Sequence, residues 1–218
     1  AMKAGTQADE LIAKGIPGAV ISIECPGANS VGVYHNAIGK DVTELEAKQD
    51  ILFTKLKGKG VLNISIGDLG NELGMGTIKE HLEKYVPYAA KGGCSCGCNG
   101  GILASVKADN IITATVSDWG CYGLIAALAY LKKDLNIMHT KEMEKEAMVT
   151  ASRSGMIDMY GDLIPAIDGC GLSINTSIVN LMRECVQSSI KLEETCATWF
   201  EKVIELGFYE KQKLTKII

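Results

Sequence analysis

Three short runs, GAVISIE (18–24), GVLNISIG (60–67) and NIITATVS (110–117), constrain the fold of this chain more than any other feature. Each is apolar and β-branched, carries no charge before its last residue, and is bounded by turn formers. Such runs lack the strict alternation of a half-solvated antiparallel strand and suit strands covered on both faces, as in a parallel sheet. Parallel neighbours need long crossovers, normally helices. The intervening segments supply them. Thr43 with Glu46 makes a capping box that predicts a helix to about Leu56. Thr77, with Glu80 at the third helical position, predicts another to about Tyr85, before Pro87. Trp119 to Lys133, rich in Ala and Leu, predicts a third. Strand and helix therefore alternate. The expected fold is α/β, a helix–sheet–helix sandwich with a largely parallel sheet and glycine-rich loops at the strand carboxyl ends. At 218 residues the chain reads as a single α/β domain over 1–218.

The last third differs. TKEMEKEAMVTASRS (140–154) predicts a charged helix with a solvated face, and 154–171 is broken by glycines and Pro165 into loops and short strands. Beyond it, Ile178, Leu181, Met182, Cys185, Ile190, Cys196, Trp199, Phe200, Val203 and Ile204 recur at helical spacing. That spacing predicts one or two helices packing this stripe on the sheet.

Charge narrows the partners. With 22 basic and 26 acidic residues the formal net charge is −4, which argues against nucleic acid. The nearest basic cluster, Lys55, Lys57 and Lys59, sits among glycines where a loop is expected. The longest apolar run, Cys121 to Leu131, is too short for a bilayer, which needs about 20 residues. No secretion-type start is present, so the expectation is a cytoplasmic protein without membrane contact, with self-association left open. Eight cysteines are too few for a disulfide scaffold. Cys185 and Cys196 fall on the apolar stripe and read as core. In GGCSCGCNGG (92–101), Cys94, Cys96 and Cys98 alternate, unlike the C-x2-4-C pairs of zinc sites, so they read as incidental thiols of a glycine-rich loop.

Ligands of open parallel sheets bind beyond the strand carboxyl ends. All three runs hand over polar residues there. Glu24 ends the first, followed by Asn29, Tyr34, His35 and Asn36; Gly67 ends the second, followed by Asp68, Asn71 and Glu72; Ser117 ends the third, followed by Asp118. Chain order thus predicts that Glu24, His35, Asp68, Glu72 and Asp118 converge. Acids gathered in one crevice repel unless a cation lies among them. Oxygen ligands select Mg²⁺ or Mn²⁺, so Glu24, Asp68 and Glu72 are the expected metal ligands. Gly67, Gly70, Gly74 and Gly76 would let backbone approach the ion closely. Asn29, Tyr34, Asn36, Asn71, Gly74 and Ser117 are expected to bind a small anionic substrate. Asp68 has the simpler alternative of capping a helix. GDLGNELGMG fits neither G-x-x-x-x-G-K-[ST] nor G-x-G-x-x-G, and no G-x-S-x-G occurs, so nucleotide binding and serine hydrolysis are unsupported.

Together, SIECPGANSVGVYHN, SIGDLGNELGMG, ATVSDWGCYGL and SGMIDMYGDLIPAIDGCGL resemble the D-glutamate cyclase C-terminal family, over roughly residues 8 to 190. The resemblance implies a cytosolic or mitochondrial α/β enzyme that cyclises D-glutamate to 5-oxo-D-proline with loss of water. One branch of that family is described as a manganese-dependent phosphatase, which would use the same crevice. In the lyase reading the substrate amine attacks its own γ-carboxyl carbon, polarised by an ion on Glu24, Asp68 and Glu72. His35 is the expected general base, with Asp68 and Asp118 as further catalytic groups. The chain departs from the family pattern in several places. Cys25 and Ala28 stand where arginines are usual, which removes two anion-binding cations. Leu69 replaces a glycine, Asp118 stands where Asn is common, and the chain begins after the family's acidic N-terminal segment. Three functions follow: a cyclase-type lyase, a manganese-dependent phosphatase, or a non-catalytic ligand-binding module.

Overall fold

The computed structural model describes residues 2–207, apart from the side chains of Met2 and of residues 194–199. It divides into two compact units, Ala1–Cys121 and Tyr122–Ile218.

The first unit holds α1 (Met2–Lys14), β1 (Ala19–Ile23), α2 (Gln49–Lys57), β2 (Leu62–Gly67), α3 (Lys79–Tyr85), β3 (Asn110–Thr113) and the start of α4 (Ser117–Lys132). Its sheet is three-stranded and wholly parallel, in the order β1-β2-β3. Side chains alternate between faces. On one face of β2 the Asn63 amide donates to the Phe53 carbonyl of α2 at 3.0 Å, and the Ser65 hydroxyl donates to the Leu73 carbonyl. Phe53, Leu73 and Ala108 form the core there, with Val20 and Ile111 against them. On the opposite face Ile66 meets Gly120 of α4, where a Cβ would lie 2.8 Å from its Cγ2. Helices thus flank the sheet.

Two expected caps are absent. Thr43 does not start a helix: its Oγ1 accepts from the Tyr34 amide at 3.0 Å, its own amide donates to Asp41 at 2.8 Å, and α2 begins only at Gln49. Thr77 bonds the Gly74 and Ala108 carbonyls, both at 3.0 Å, so a 3₁₀ turn precedes α3, which does end at Tyr85. In both cases a partner outside the helix outcompeted the local helix end. Lys55 and Lys57 lie in α2 rather than in a loop, paired with Asp9 at 2.6 Å and Asp109 at 2.9 Å. Helix α1, which gave no clear sequence pattern, packs on α2.

In the second unit, α5 (Lys141–Arg153) is capped by Thr140, and a short antiparallel pair, β4 (Ala166–Ile167) with β5 (Cys170–Gly171), leads into α6 (Leu172–Glu205). Ala129, Met138 and Val186 form the core, with Ile125, Met182 and Ile190 around them. The buried face of α6 therefore runs through Val179, Met182, Val186 and Ile190. Leu181 and Ile204, expected on that face, are 64% and 63% exposed, and Cys185 is exposed too. A one-residue shift rotates a helix by about 100°, enough to swap faces. The side chains of Cys196 and Trp199 lie outside the described residues.

Helix α5 is not wholly solvated. Glu144 is buried, accepts from the Tyr122 hydroxyl at 2.5 Å, and has His139 Nε2 at 3.1 Å. Tyr122→Phe leaves one buried carboxylate oxygen without that donor and is expected to cost about 1–3 kcal/mol. Urea unfolding followed by circular dichroism measures it; an unchanged midpoint would show this bond to contribute nothing. Among the described residues no helix is long and apolar enough to cross a membrane.

Candidate functional site

The parallel register places Ile23 beside Ile66 and Gly67 beside Thr113, so the chain leaves all three strands at one edge. Glu24 is the first residue past β1. Its amide donates to the Ile66 carbonyl at 3.1 Å, and its φ is +47°. A non-glycine residue in this left-handed region costs of order 1–3 kcal/mol, and such strain concentrates at functional sites.

Beyond β2 the chain turns around one carboxylate. Glu72, 1% exposed, accepts the backbone amides of Asp68 and Leu69 at Oε1, both at 2.8 Å, and of Gly70 at Oε2, at 2.6 Å. Gly67 is required by this closure, since a Cβ there would lie 2.8 Å from the Glu72 carboxyl carbon. Sequence reasoning found Glu72 but not its role as the clamp of the loop. One carboxylate oxygen each from Glu24, Asp68 and Glu72 lies within 4.8 Å of the others, with Glu24 exposed, Asp68 half-buried and Glu72 buried. Ser117, fully buried, reaches Asp68 Oδ2 at 3.5 Å. Burial raises the Cys121 pKa, and the Asp118 and Glu24 charges raise it further, which locates both carboxylates around that thiol. Glu24, Asp68, Glu72, Ser117 and Asp118 are therefore gathered at the sheet edge.

The other expected site residues are engaged within the loops. Asn71 donates to the His35 carbonyl at 3.1 Å. Asn29 accepts from the Val31 and Val33 amides at 3.0 Å and donates to the Gly101 carbonyl at 2.7 Å. Asn36 accepts from the Ile38 and Lys40 amides, and Gly74 packs on Ser65 and Ala108. The Tyr34 hydroxyl donates to Asp50 at 2.5 Å; burial and that carboxylate hold the phenol protonated.

His35 groups with thiols rather than with the acids. Its ring is fully buried, with Nε2 3.1 Å from Cys96 Sγ and 3.6 Å from Cys98 Sγ. Burial lowers its pKa, outweighing the nearby Asp41 charge. Cys94 Sγ lies 3.4 Å from Cys98 Sγ and 3.6 Å from Cys96 Sγ. Far from being incidental, the three thiols of the 92–101 loop meet at one point and share it with an imidazole from another loop.

Residues 3–183 match the family described as "D-glutamate cyclase-like, C-terminal". The chain belongs to this family. Among curated proteins it is similar to human (Homo sapiens) "D-glutamate cyclase, mitochondrial", 34% identical over 114 residues. That alignment covers 51% of this chain and 17% of the human protein, so the chain spans only a small part of its relative. The D-glutamate cyclase-like match includes the acidic edge and the thiol loop alike, since both lie within 3–183.

Proposed function

We propose that the protein is a metal-dependent lyase of the D-glutamate cyclase type, acting on a small anionic substrate, D-glutamate in first place. The observation that carries this reading is the oxygen cluster of Glu24, Asp68 and Glu72 at the carboxyl edge of the sheet in a chain of this family. An all-oxygen donor set fits Mg²⁺ or Mn²⁺. Glu72 already accepts three amides, so it adds one bond at most, and an octahedral ion would keep positions for substrate and water. When bound, such an ion supplies charge neutralisation and Lewis-acid polarisation of the substrate γ-carboxylate. Neutralisation matters because the crevice is acidic and Cys25, where the family resemblance calls for a cation, is a buried thiol whose pKa burial and the Glu46 charge push up to about 11.

In the reaction the α-amine forms a C–N bond to the γ-carboxyl carbon, a C–O bond of that carboxyl group breaks, and its oxygen leaves as water with the two protons that the ammonium nitrogen gives up. The ammonium must first lose a proton. Asp118, half-buried at the start of α4, is the group we assign to accept it, with Ser117 holding Asp68 in orientation. His35, buried against thiols, is poorly placed for that task. A reducing compartment, the cytoplasm foremost, suits a chain with such closely set thiols.

Protein loaded with Mn²⁺ is expected to convert D-glutamate to 5-oxo-D-proline and to spare L-glutamate, read by chiral chromatography. Phosphate release from an aryl phosphate without cyclisation would replace this reading by the phosphatase. Silence towards both, from protein shown to carry metal, would replace it by a non-catalytic module.

A further inference from the structure

We propose that His35, Cys94, Cys96 and Cys98 form a structural Zn²⁺ site that ties the loop after β1 to the 92–101 loop. The four ligand atoms lie within 4.8 Å of one another, and four of the six edges are between 3.1 and 3.6 Å. Tetrahedral zinc, with Zn–S of about 2.3 Å and Zn–N of about 2.05 Å, requires edges of about 3.6–3.8 Å. The observed polyhedron is therefore zinc-sized and slightly contracted. Three thiolates and an imidazole make a soft, closed set with no position left for substrate, which is the structural type of site.

Three further observations point the same way. The fully buried His35 ring directs Nε2 at two sulfurs. The Gly100 amide and the Asn29 side chain both donate to Cys98 Sγ, at 3.3 and 3.4 Å, the outer-shell support a metal-bound thiolate requires. Finally, three thiols cannot all be consumed by pairing, so a disulfide would leave one thiol and the imidazole of this cluster without a partner bond. Gly97, at φ +80°, makes the C-x-C-x-C spacing workable by reversing the chain between Cys96 and Cys98.

The site has a structural consequence. Residues 86–102 contain no helix or strand, and the apolar cluster beside the thiols is small, Ala89, Cys94 and Ile102 with Val86 and Cys98. A segment with so little apolar burial needs a cross-link to hold one conformation. Through the Asn71 bond to the His35 carbonyl, the same cross-link steadies the loop that carries Asp68 and Glu72.

The test is elemental analysis of the full chain, purified under reducing conditions without added metal, with Co²⁺ replacement as a second readout. About one zinc per chain is expected, and the cobalt form should show thiolate-to-metal charge transfer and the intense visible bands of tetrahedral coordination. Cys94→Ser with Cys98→Ser should lower zinc at least about tenfold. His35→Cys, which exchanges one zinc ligand for another, should keep it, and so should Asp68→Asn, which alters only the acidic cluster. Wild-type protein that carries no zinc and binds Co²⁺ without a thiolate band would overturn the proposal, whatever the fate of the variants. So would stoichiometric zinc in the double serine variant, or iron or copper in its place. None of these readouts depends on turnover of D-glutamate.

Discussion

Asp68→Ala is expected to abolish Mn²⁺ binding at the acidic cluster and, with it, activity, while leaving the fold intact. Asp68 sits between Glu24 and Glu72 in chain order and close to both in space, and its carboxylate is half-buried beside Ser117. Loss of an outer-shell partner already weakens metal sites by about 10–100-fold, so removal of a ligand should exceed about 100-fold. Stability should not fall in parallel. With no ion bound, three carboxylates within 4.8 Å repel, and deleting one relieves that repulsion. Titration with Mn²⁺ followed by electron paramagnetic resonance measures the first effect, and circular dichroism the second. A variant that retains tight Mn²⁺ binding would remove Asp68 from the metal site.

Glu72→Gln is expected to act in the opposite sense, mainly on stability. The carboxylate accepts three backbone amides from a side chain that is 1% exposed. Hydrogen bonds to a charged group contribute about 1.5–3 kcal/mol each. Glutamine can keep its oxygen on the Asp68 and Leu69 amides, but its NH₂ then faces the Gly70 amide, donor against donor. A loss of about 3 kcal/mol follows, or about 6–12 °C in melting temperature for a protein of this size. Glu72→Ala should cost more, since it leaves all three amides unsatisfied. Both measurements belong in chelator, so that loss of the clamp is separated from loss of metal. An unchanged melting temperature for both variants would show that the loop closes without Glu72.

The sheet and its acidic edge were legible because they follow from local period and chain order. Continuous β-branched runs mark parallel strands, although Ile21 and Ile23 of β1, expected to be buried, are 44% and 51% exposed; parallel strands end at one edge, and the residues after them must meet there. Glu24, Asp68 and Glu72 needed no more than that. Helix starts were less legible. Thr43 and Thr77 have the chemistry of caps, but each hydroxyl found a partner outside the helix, Tyr34 for the first and Ala108 for the second, and no local pattern reports which competitor wins. The face of α6 failed for a related reason: Leu181 and Val179 are both apolar, and only packing on Met138 and Ala129 selects between neighbouring stripes.

Tertiary structure alone decided two matters of chemistry. Glu72 is a clamp because three backbone amides converge on it, and amides have no signature in a sequence of side chains. The thiols of Cys94, Cys96 and Cys98 read as incidental because they alternate and lack the second pair of a linear zinc pattern. Their fourth partner, His35, comes from another loop, and only the folded chain sets it against them, since a metal polyhedron is closed in space and not along the backbone.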